Sequence, residues 1–456
     1  MIDFLFIYEL RQRELENIVL VGTELKKRGY TVEYCNFPFP VHKIQEIRNK
    51  YYGNVRTILT QSMYDSKVLY NLVYRIAGPV SKIVNLQWEQ VGTVRTEADI
   101  NSYRYPRGIA KEILHICWGD TPRHNLIRVG VNPEKAVITG PLHMDFLRLL
   151  FNKFYRSKNE VFLTYGLNPS LKTIFFISSF SYASLSKKDI NNLKRKAGDT
   201  IVEEHYRLSV NSQKLFFGWV EKLLNEEPLI NFIYRPHPAE KNIEKLITLE
   251  RTYSNFKVIR DYSVKQWIII CDKLYTWYST SIVEAYFAHV PCAIIRPIPI
   301  AKDEDVSIMI EADVIDNYEA FRESVSKNYE FPIKPEVIEK YYHVDKNIPS
   351  YIRLANLLET VINSNQYDIF WETEIIREME DKAKSQKWAN RLYRIYSAVI
   401  SFCSIINDKL DIRFSHSISK RIEKQRFAKE KRPLNDASGA EIQELELKIQ
   451  NYITCI

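Results

Sequence analysis

The sequence predicts an α/β protein made of two Rossmann-like halves in tandem, followed by a helical tail. Three observations carry this expectation. Short apolar runs alternate with amphipathic segments of helical length over the first 365 residues. The alternation pauses in a polar linker near residue 160 and then starts again. The basic charge is concentrated beyond residue 380. At 456 residues the chain is also too long for one ordinary core.

The first half opens on the strand "DFLFIY" (3–8) and an amphipathic segment from Glu14 to Arg28. The apolar runs "TVEYC" (31–35), "VRTILTQ" (55–61), "SKIVNLQW" (81–88), "EILHICW" (112–118) and "KAVITG" (135–140) follow. Helical segments of this length between strands call for a parallel sheet. The stretch from Pro141 to Asn159 reads as a helix running into a polar linker, which bounds a first domain at 1–150. A second domain, 165–365, restarts at "TIFFISSF" (173–180). It continues through "NFIYRPHP" (231–238), "FKVIRDY" (256–262), "DKLYTW" (272–277) and "PCAIIRP" (291–297). Helices are expected at Lys241–Tyr253 and Ser281–His289, and over a long polar region ending near Leu224. Ligands of such sheets bind beyond the carboxyl ends of the strands, so the cleft between two facing halves is the expected site.

The tail, 366–456, has a different character. Trp388, Leu392, Ile395, Val399, Phe402, Ile406 and Leu410 recur at helical spacing beside Lys387, Arg391 and Arg394. Between Lys382 and Arg432 there are 14 Lys/Arg against four Asp/Glu, a local charge of +10 in a chain of net +8. The body is therefore near neutral, which argues against nucleic acid as its partner. An apolar stripe edged with basic residues suits an anionic membrane surface, and segment 382–432 is expected to meet one. The plainer alternative for the stripe is a helix that packs back on the body with a solvated basic end; the last amphipathic stretch, "EIQELELKIQNYI", is read as a means of self-association into a homo-oligomer. No run of eighteen apolar residues marks a membrane span. The amino terminus has no basic leader and is read as a first strand. Six scattered cysteines without a CxxC pair suit reduced, buried thiols.

Three strand ends of the second half carry the chemistry. In "YRPHPAE", Pro236 and Pro238 hold two φ angles near −65° and keep the flanking residues extended. Arg235 and His237 thus leave the strand stiffly, as suits a phosphate or carboxylate; the plainer alternative is a His-Pro turn. In "YTWYSTSIVEAYFAHVP", Ser279, Thr280 and Ser281 stand where a strand passes into a helix, and Glu284 lies one turn further on, placed to accept from a ribose hydroxyl. Simple helix capping is the alternative. Ser178 and Ser179 end the first strand of this half and make a third anchor.

Taken together, "YRPHPAE" and "YSTSIVEAYFAHVPCAIIRP" resemble the carboxyl-terminal half of GT-B glycosyltransferases of bacterial surface carbohydrates. Bacterial sialyltransferases, Kdo transferases and CDP-glycerol polymer transferases share these HP and Ser/Thr motifs in outline. "YELRQRELENIVLVGTELKKRGYTVEYC" and "GVNPEKAVITGPLHMDFLR" are similar to the opening and to the "T-G" hallmark of the surface carbohydrate biosynthesis group. The likeness spans about residues 1–365. It implies two Rossmann-like domains facing across a cleft, with His237 and the Ser279–Ser281 hydroxyls on the donor phosphate and Arg235 in support. It also implies a nucleotide-sugar donor, often CMP-linked, and a glycan or lipid-linked glycan acceptor. Catalysis would be metal-independent, without a cofactor, at the cytoplasmic face of the membrane. The acidic motif of the sialyltransferases is reduced here to "QWEQVG", with Glu89 as its one carboxylate.

Glu9 and Glu89 each follow a strand of the first half and are the expected general bases. Glu14 is expected to pair with Arg11 or Arg13. Asp303 and Asp305 imitate a DxD metal motif but lie in a polar loop, and no metal is expected there. A CDP-glycerol-type phosphotransferase, a nucleotide-sugar epimerase and a non-catalytic scaffold for glycan assembly remain as alternatives.

Overall fold

A computed structural model describes residues 1–39, 43–151, 153–197, 199–240, 244–327, 330–386, 388, 395, 399–400 and 436–453. They fall into two compact units. One comprises Met1–Gln90, Ile100–Leu142 and His343–Ile456; the other comprises Val91–Asp99 and His143–Tyr342.

The first unit holds β1 (Ile2–Tyr8), β2 (Val32–Asn36), β3 (Val55–Thr60), β4 (Lys82–Asn85), β5 (Leu114–Cys117) and β6 (Ala136–Ile138). All are parallel, in the order β2-β1-β3-β4-β5-β6. Continuous apolar strands are the mark of a sheet covered on both faces, and Phe4, Leu5, Phe6 and Ile7 are fully buried. The helix Glu16–Lys27 buries every residue from Asn17 to Leu25. Two later segments of this unit pack against it. Helix Ser350–Asn363 is tied to it by Arg28, which pairs with Glu24 at 2.7 Å and with Glu359 at 2.6 Å. The last helix, Gly439–Ile453, is held by Lys26–Glu446 at 2.6 Å and Arg11–Glu441 at 2.7 Å, with Ile449 and Ile453 buried. The segment expected to mediate self-association thus packs on the first unit of its own chain.

The second unit holds β7 (Lys172–Ile177), β8 (Ile230–Arg235), β9 (Phe256–Val258), β10 (Lys273–Thr276), β11 (Cys292–Ile295) and β12 (Val314–Ile315). These are also parallel, in the order β12-β11-β10-β7-β8-β9. Its core is aromatic. Phe176 stacks on Phe216 with ring centroids 4.2 Å apart, and Phe180 stacks on Trp277 at 4.7 Å. The long helix Asp199–Glu226 supplies Phe216, Phe217 and Val220 to this core.

The α/β class with a helical tail, expected from the alternation, is what the chain forms. Eleven strands lie where the apolar runs placed them. The twelfth, β12, was not expected, because two residues inside the acidic stretch "EADVIDN" carry no period to read. The expected helix over 141–159 is instead two short turns, Leu142–Asp145 and Leu149–Phe151, and then helix Lys158–Tyr165. Phe146, Phe151 and Phe154 gather into one cluster, with Phe146 about equally close to both others at 5.0 Å, which favours turns over a straight helix. The capping box of Ser157 and Glu160 then starts the true helix.

Cys35, Cys117, Cys271 and Cys292 are buried free thiols, as expected. Most of the stripe from Trp388 to Leu410, and the basic run to Arg432, lie outside the described residues. Among the described residues no helix is long and apolar enough to cross a membrane.

The glycine of the "T-G" stretch has a clear physical reason. Gly140 has φ +91°, and a Cβ there would stand 2.5 Å from both the His343 carbonyl and Ser350 Oγ. This is where the chain returns to the first unit, with His343 donating its N–H to the Trp118 carbonyl. Gly140→Ala is expected to lower the unfolding free energy by roughly 2–5 kcal/mol, from backbone strain and overpacking together. Chemical denaturation with an unchanged m-value would measure this.

Candidate functional site

The order of the second sheet reverses between β7 and β10: β7 leads to β8 and β9 on one side, and β10 leads to β11 and β12 on the other. A crevice opens at such a switch point, beyond the carboxyl ends of the two central strands. The sequence-predicted residues of this half gather around it. Ser178 and Ser179 follow β7, Arg235 ends β8 with His237 two residues on, and Ser279–Ser281 follow β10.

The loop carrying His237 is built around Glu240, which is 1% exposed. Its carboxylate accepts from Ser178 Oγ at 2.6 Å, Tyr234 Oη at 2.9 Å, Gln213 Nε2 at 3.1 Å and the His237 N–H at 3.1 Å. One buried acid thus joins the end of β7, the body of β8, the long helix and the histidine loop. Burial raises the Glu240 carboxyl above its ordinary range, while the hydrogen bonds from Ser178, Tyr234 and His237 pull it down. Arg260 closes the loop from the other side by donating to the carbonyls of His237 (3.3 Å) and Glu240 (2.7 Å). His237 Nδ1 accepts the Ala239 N–H at 3.1 Å, so the proton of the neutral ring sits on Nε2.

The other expected anchors differ in what they can offer. Ser178 is 2% exposed and its hydroxyl is engaged by Glu240, which makes it a brace of the loop. Ser179 Oγ is buried without a hydrogen-bond partner among the described residues. Arg235 donates from Nη1 to the Asp261 carbonyl at 2.9 Å and from Nη2 to the Tyr262 carbonyl at 2.7 Å. Its guanidinium therefore leans toward the segment after β9, and burial brings its pKa down to about 10. Glu284, 7% exposed, lies close enough to oppose that fall electrostatically.

Ser279, Thr280 and Ser281 are half-buried. Ser279 Oγ accepts the Ser281 N–H at 3.3 Å, and Thr280 hydrogen-bonds Tyr342. Helix Ile282–Phe287 starts without a side-chain cap from Ser281, so the plainer alternative of capping is not met by that residue. Its hydroxyl is not committed to the helix.

In the first unit, Glu9 follows β1 and Glu89 follows β4. Arg13 links Glu14 and Glu89, at 2.7 Å to each, and the fully buried Glu14 accepts the Glu9 N–H at 2.7 Å. Burial first, then the charges of Glu14 and Glu89, raise the Glu9 carboxyl, while Arg13 pulls it down. The partner expected for Glu14 is thus Arg13. A π-helical turn over Arg11–Leu15 sets these side chains before helix Glu16–Lys27 begins. Glu89 itself is exposed, and Gln87 two residues before it is held at φ +43°. Gln87 donates to Tyr64 Oη at 3.0 Å, and Arg104 donates to the Glu89 carbonyl at 2.7 Å. The DxD look-alike is committed elsewhere: Asp303 pairs with Arg95, and Asp305 pairs with Arg296.

Sequence reasoning missed Glu240, Gln213, Arg260, Tyr64 and Arg104. Glu240 had a signal, as an acid three residues after a proline-locked histidine in "RPHPAE". The others come from distant segments with no local pattern.

No protein-family model matches the chain, and no curated protein sequence matches it. Solved structures do. A histidine-to-alanine variant of the wall teichoic acid polymerase TagF aligns with a TM-score of 0.52 at 11% identity, over 79% of this chain and 89% of that one. S. aureus MnaA with UDP aligns with a TM-score of 0.49 at 11% identity, over 80% and 97%. The Methanocaldococcus jannaschii UDP-GlcNAc 2-epimerase, in complex with UDP-GlcNAc and UDP, gives 0.48 at 12% identity, over 79% and 100%. The TagF likeness shows the fold, which is of the GT-B class.

The weight placed on Glu240 is open to test. Glu240→Ala removes the acceptor shared by Ser178, Tyr234, Gln213 and the His237 N–H, leaving the Tyr234 hydroxyl to Ser178 at 2.8 Å, and should lower stability by about 2–4 kcal/mol. Glu240→Gln should recover part of that loss, as read from urea midpoints of the three proteins.

Proposed function

We propose that the protein is a metal-independent GT-B glycosyltransferase. It moves a sugar from a nucleotide-sugar donor, CMP-linked as for Kdo or sialic acid, to a lipid-linked bacterial surface glycan. The observation that carries this reading is the convergence of His237, Ser179 and Ser279–Ser281 past adjacent strand ends at the β7/β10 switch point. His237 offers its Nε2–H to a phosphoryl oxygen, and the serine hydroxyls offer further donors. Glu284 accepts from a ribose hydroxyl. Ser178 and Arg260 hold the loop in place, and Arg235 holds the segment after β9.

In the reaction, the acceptor oxygen attacks the anomeric carbon while the carbon–oxygen bond to the nucleotide phosphate breaks. The nucleotide leaves as CMP with the bonding pair, and the acceptor proton passes to a first-unit carboxylate. Glu9, with its raised carboxyl, is the better base, and Glu89 is the second candidate. The basic segment 382–432 brings the enzyme to the inner, anionic face of the membrane, where a lipid-linked acceptor lies.

A second reading is favoured by the TagF likeness: transfer of a polyol phosphate from a CDP-linked donor. There the acceptor attacks phosphorus, and CMP again leaves. Turnover with a CDP-polyol and not with a CMP-sugar would select it.

A thermal-shift screen against CMP, CDP, UDP, GDP and dTDP is the first experiment, and a cytidine nucleotide is expected to raise the melting temperature most. His237→Ala should cut turnover by 10²-fold or more while the melting temperature without nucleotide stays within a few degrees; undiminished turnover would remove the phosphate role. The Glu9 carboxyl is raised, so the base form is lost as pH falls through a value above that of an ordinary glutamate. The acid limb of kcat/KM should therefore lie above the usual glutamate range and disappear in Glu9→Gln. A limb that persists in Glu9→Gln and vanishes in Glu89→Gln would assign the base to Glu89.

A further inference from the structure

Past three adjacent strand ends of the second sheet stand three buried polar groups without a partner among the described residues. They are Ser179 Oγ after β7, Trp277 Nε1 after β10 and Arg296 Nη1 after β11. Buried polar groups are nearly always paired; Trp277 lies in the aromatic core on Phe180 and Ser179 belongs to the site already described, so the group that asks for an explanation is Arg296. Trp Nε1 and Arg Nη1 can only donate. The partner that Arg296 Nη1 lacks is therefore an acceptor, and for a guanidinium an anionic one suits best.

Arg296 follows β11 directly and is 3% exposed. Its Nη2 donates to Asp305 at 2.8 Å, which leaves Nη1 over. The guanidinium lies 5.5 Å from the ring centroid of Tyr278, the residue before Ser279–Ser281. It thus leans toward β10 and the switch point. Arg235 does the reverse, with both terminal nitrogens donating to the carbonyls after β9. Among the described residues of this half, Arg296 is a buried cation with a donor left over, and it is not among the residues expected from the sequence.

We propose that Arg296 is a ligand-binding residue of the switch-point site and receives a second anionic group of the ligand, distinct from the phosphate assigned to His237. Strands β8 and β11 are three strand spacings apart, about 14 Å. His237 and Arg296 thus approach from opposite sides of the switch point. The second group is an oxyanion, either a further phosphate of the nucleotide or a carboxylate on the transferred sugar. The inference rests on the donor-binding reading above.

The test compares affinities by calorimetry for CMP, CDP and a CMP-linked sugar acid, each with wild type, Arg296→Lys and Arg296→Gln/Asp305→Asn. The double variant avoids stranding a buried Asp305 charge. The expected result is CMP affinity within threefold of wild type, with CDP or the sugar acid weakened at least tenfold in the double variant and less in Arg296→Lys. Loss for CDP alone assigns a second phosphate; loss for the sugar acid alone assigns a carboxylate. If both ratios to CMP stay at the wild-type value, Arg296 is half of a structural ion pair and the proposal fails. Wild-type protein that binds none of the three overturns the donor reading itself.

Discussion

The candidate site depends on one buried carboxylate. Glu240 sits three residues after His237, in a loop that two prolines have stiffened but not aimed. Its four hydrogen bonds aim it, by fixing the loop to β7, β8 and the long helix at once. A carboxylate can be buried this deeply because each of its oxygens accepts two donors. The histidine's place is then a property of the whole carboxyl edge of the sheet. Proline supplies stiffness here, and the acid supplies direction.

The first unit solves a related problem differently. Three glutamates at the ends of β1 and β4 would repel one another, and Arg13 lies among them, in contact with two. Glu14 is held by the arginine and by the Glu9 N–H, so the charge is balanced locally while Glu9 is left with a raised carboxyl. Both units thus use a buried glutamate to organise a more exposed functional group nearby. In each, the buried acid lies within five residues of the group it serves, so the local chain alone can hold the pair together.

What was legible in the sequence follows from what is periodic. Strands of four or more apolar residues, buried on both faces, announce themselves, and so do the strand ends where polar residues interrupt them. "YRPHPAE" and "YSTSIVEAY" could be found for that reason. Their partners could not. Gln213 lies mid-helix and Arg260 follows β9, and they meet the histidine loop only because the sheet order brings them there. Arg235 and Ser178 illustrate the opposite case. Both stand where a ligand-binding residue should, yet their polar atoms bond to Asp261, Tyr262 and Glu240. Position along a strand is readable from sequence, and the direction in which a side chain makes its bonds is not.

The tail has two footholds on the first unit. Before the basic segment, Trp371 donates to the Val80 carbonyl and Met379 is buried against Tyr70 and Tyr74. After it, Ala437 and Asp436 meet the Tyr8 hydroxyl, and the last helix lies on Glu16–Lys27. The chain is therefore held to the first unit on both sides of the basic segment, and covalent continuity raises the local concentration of the last helix near its seat. Cutting the chain between these footholds would turn one polypeptide into a two-piece complex. The final helix would then bind as a separate peptide, with an affinity set by its own ion pairs and two buried isoleucines.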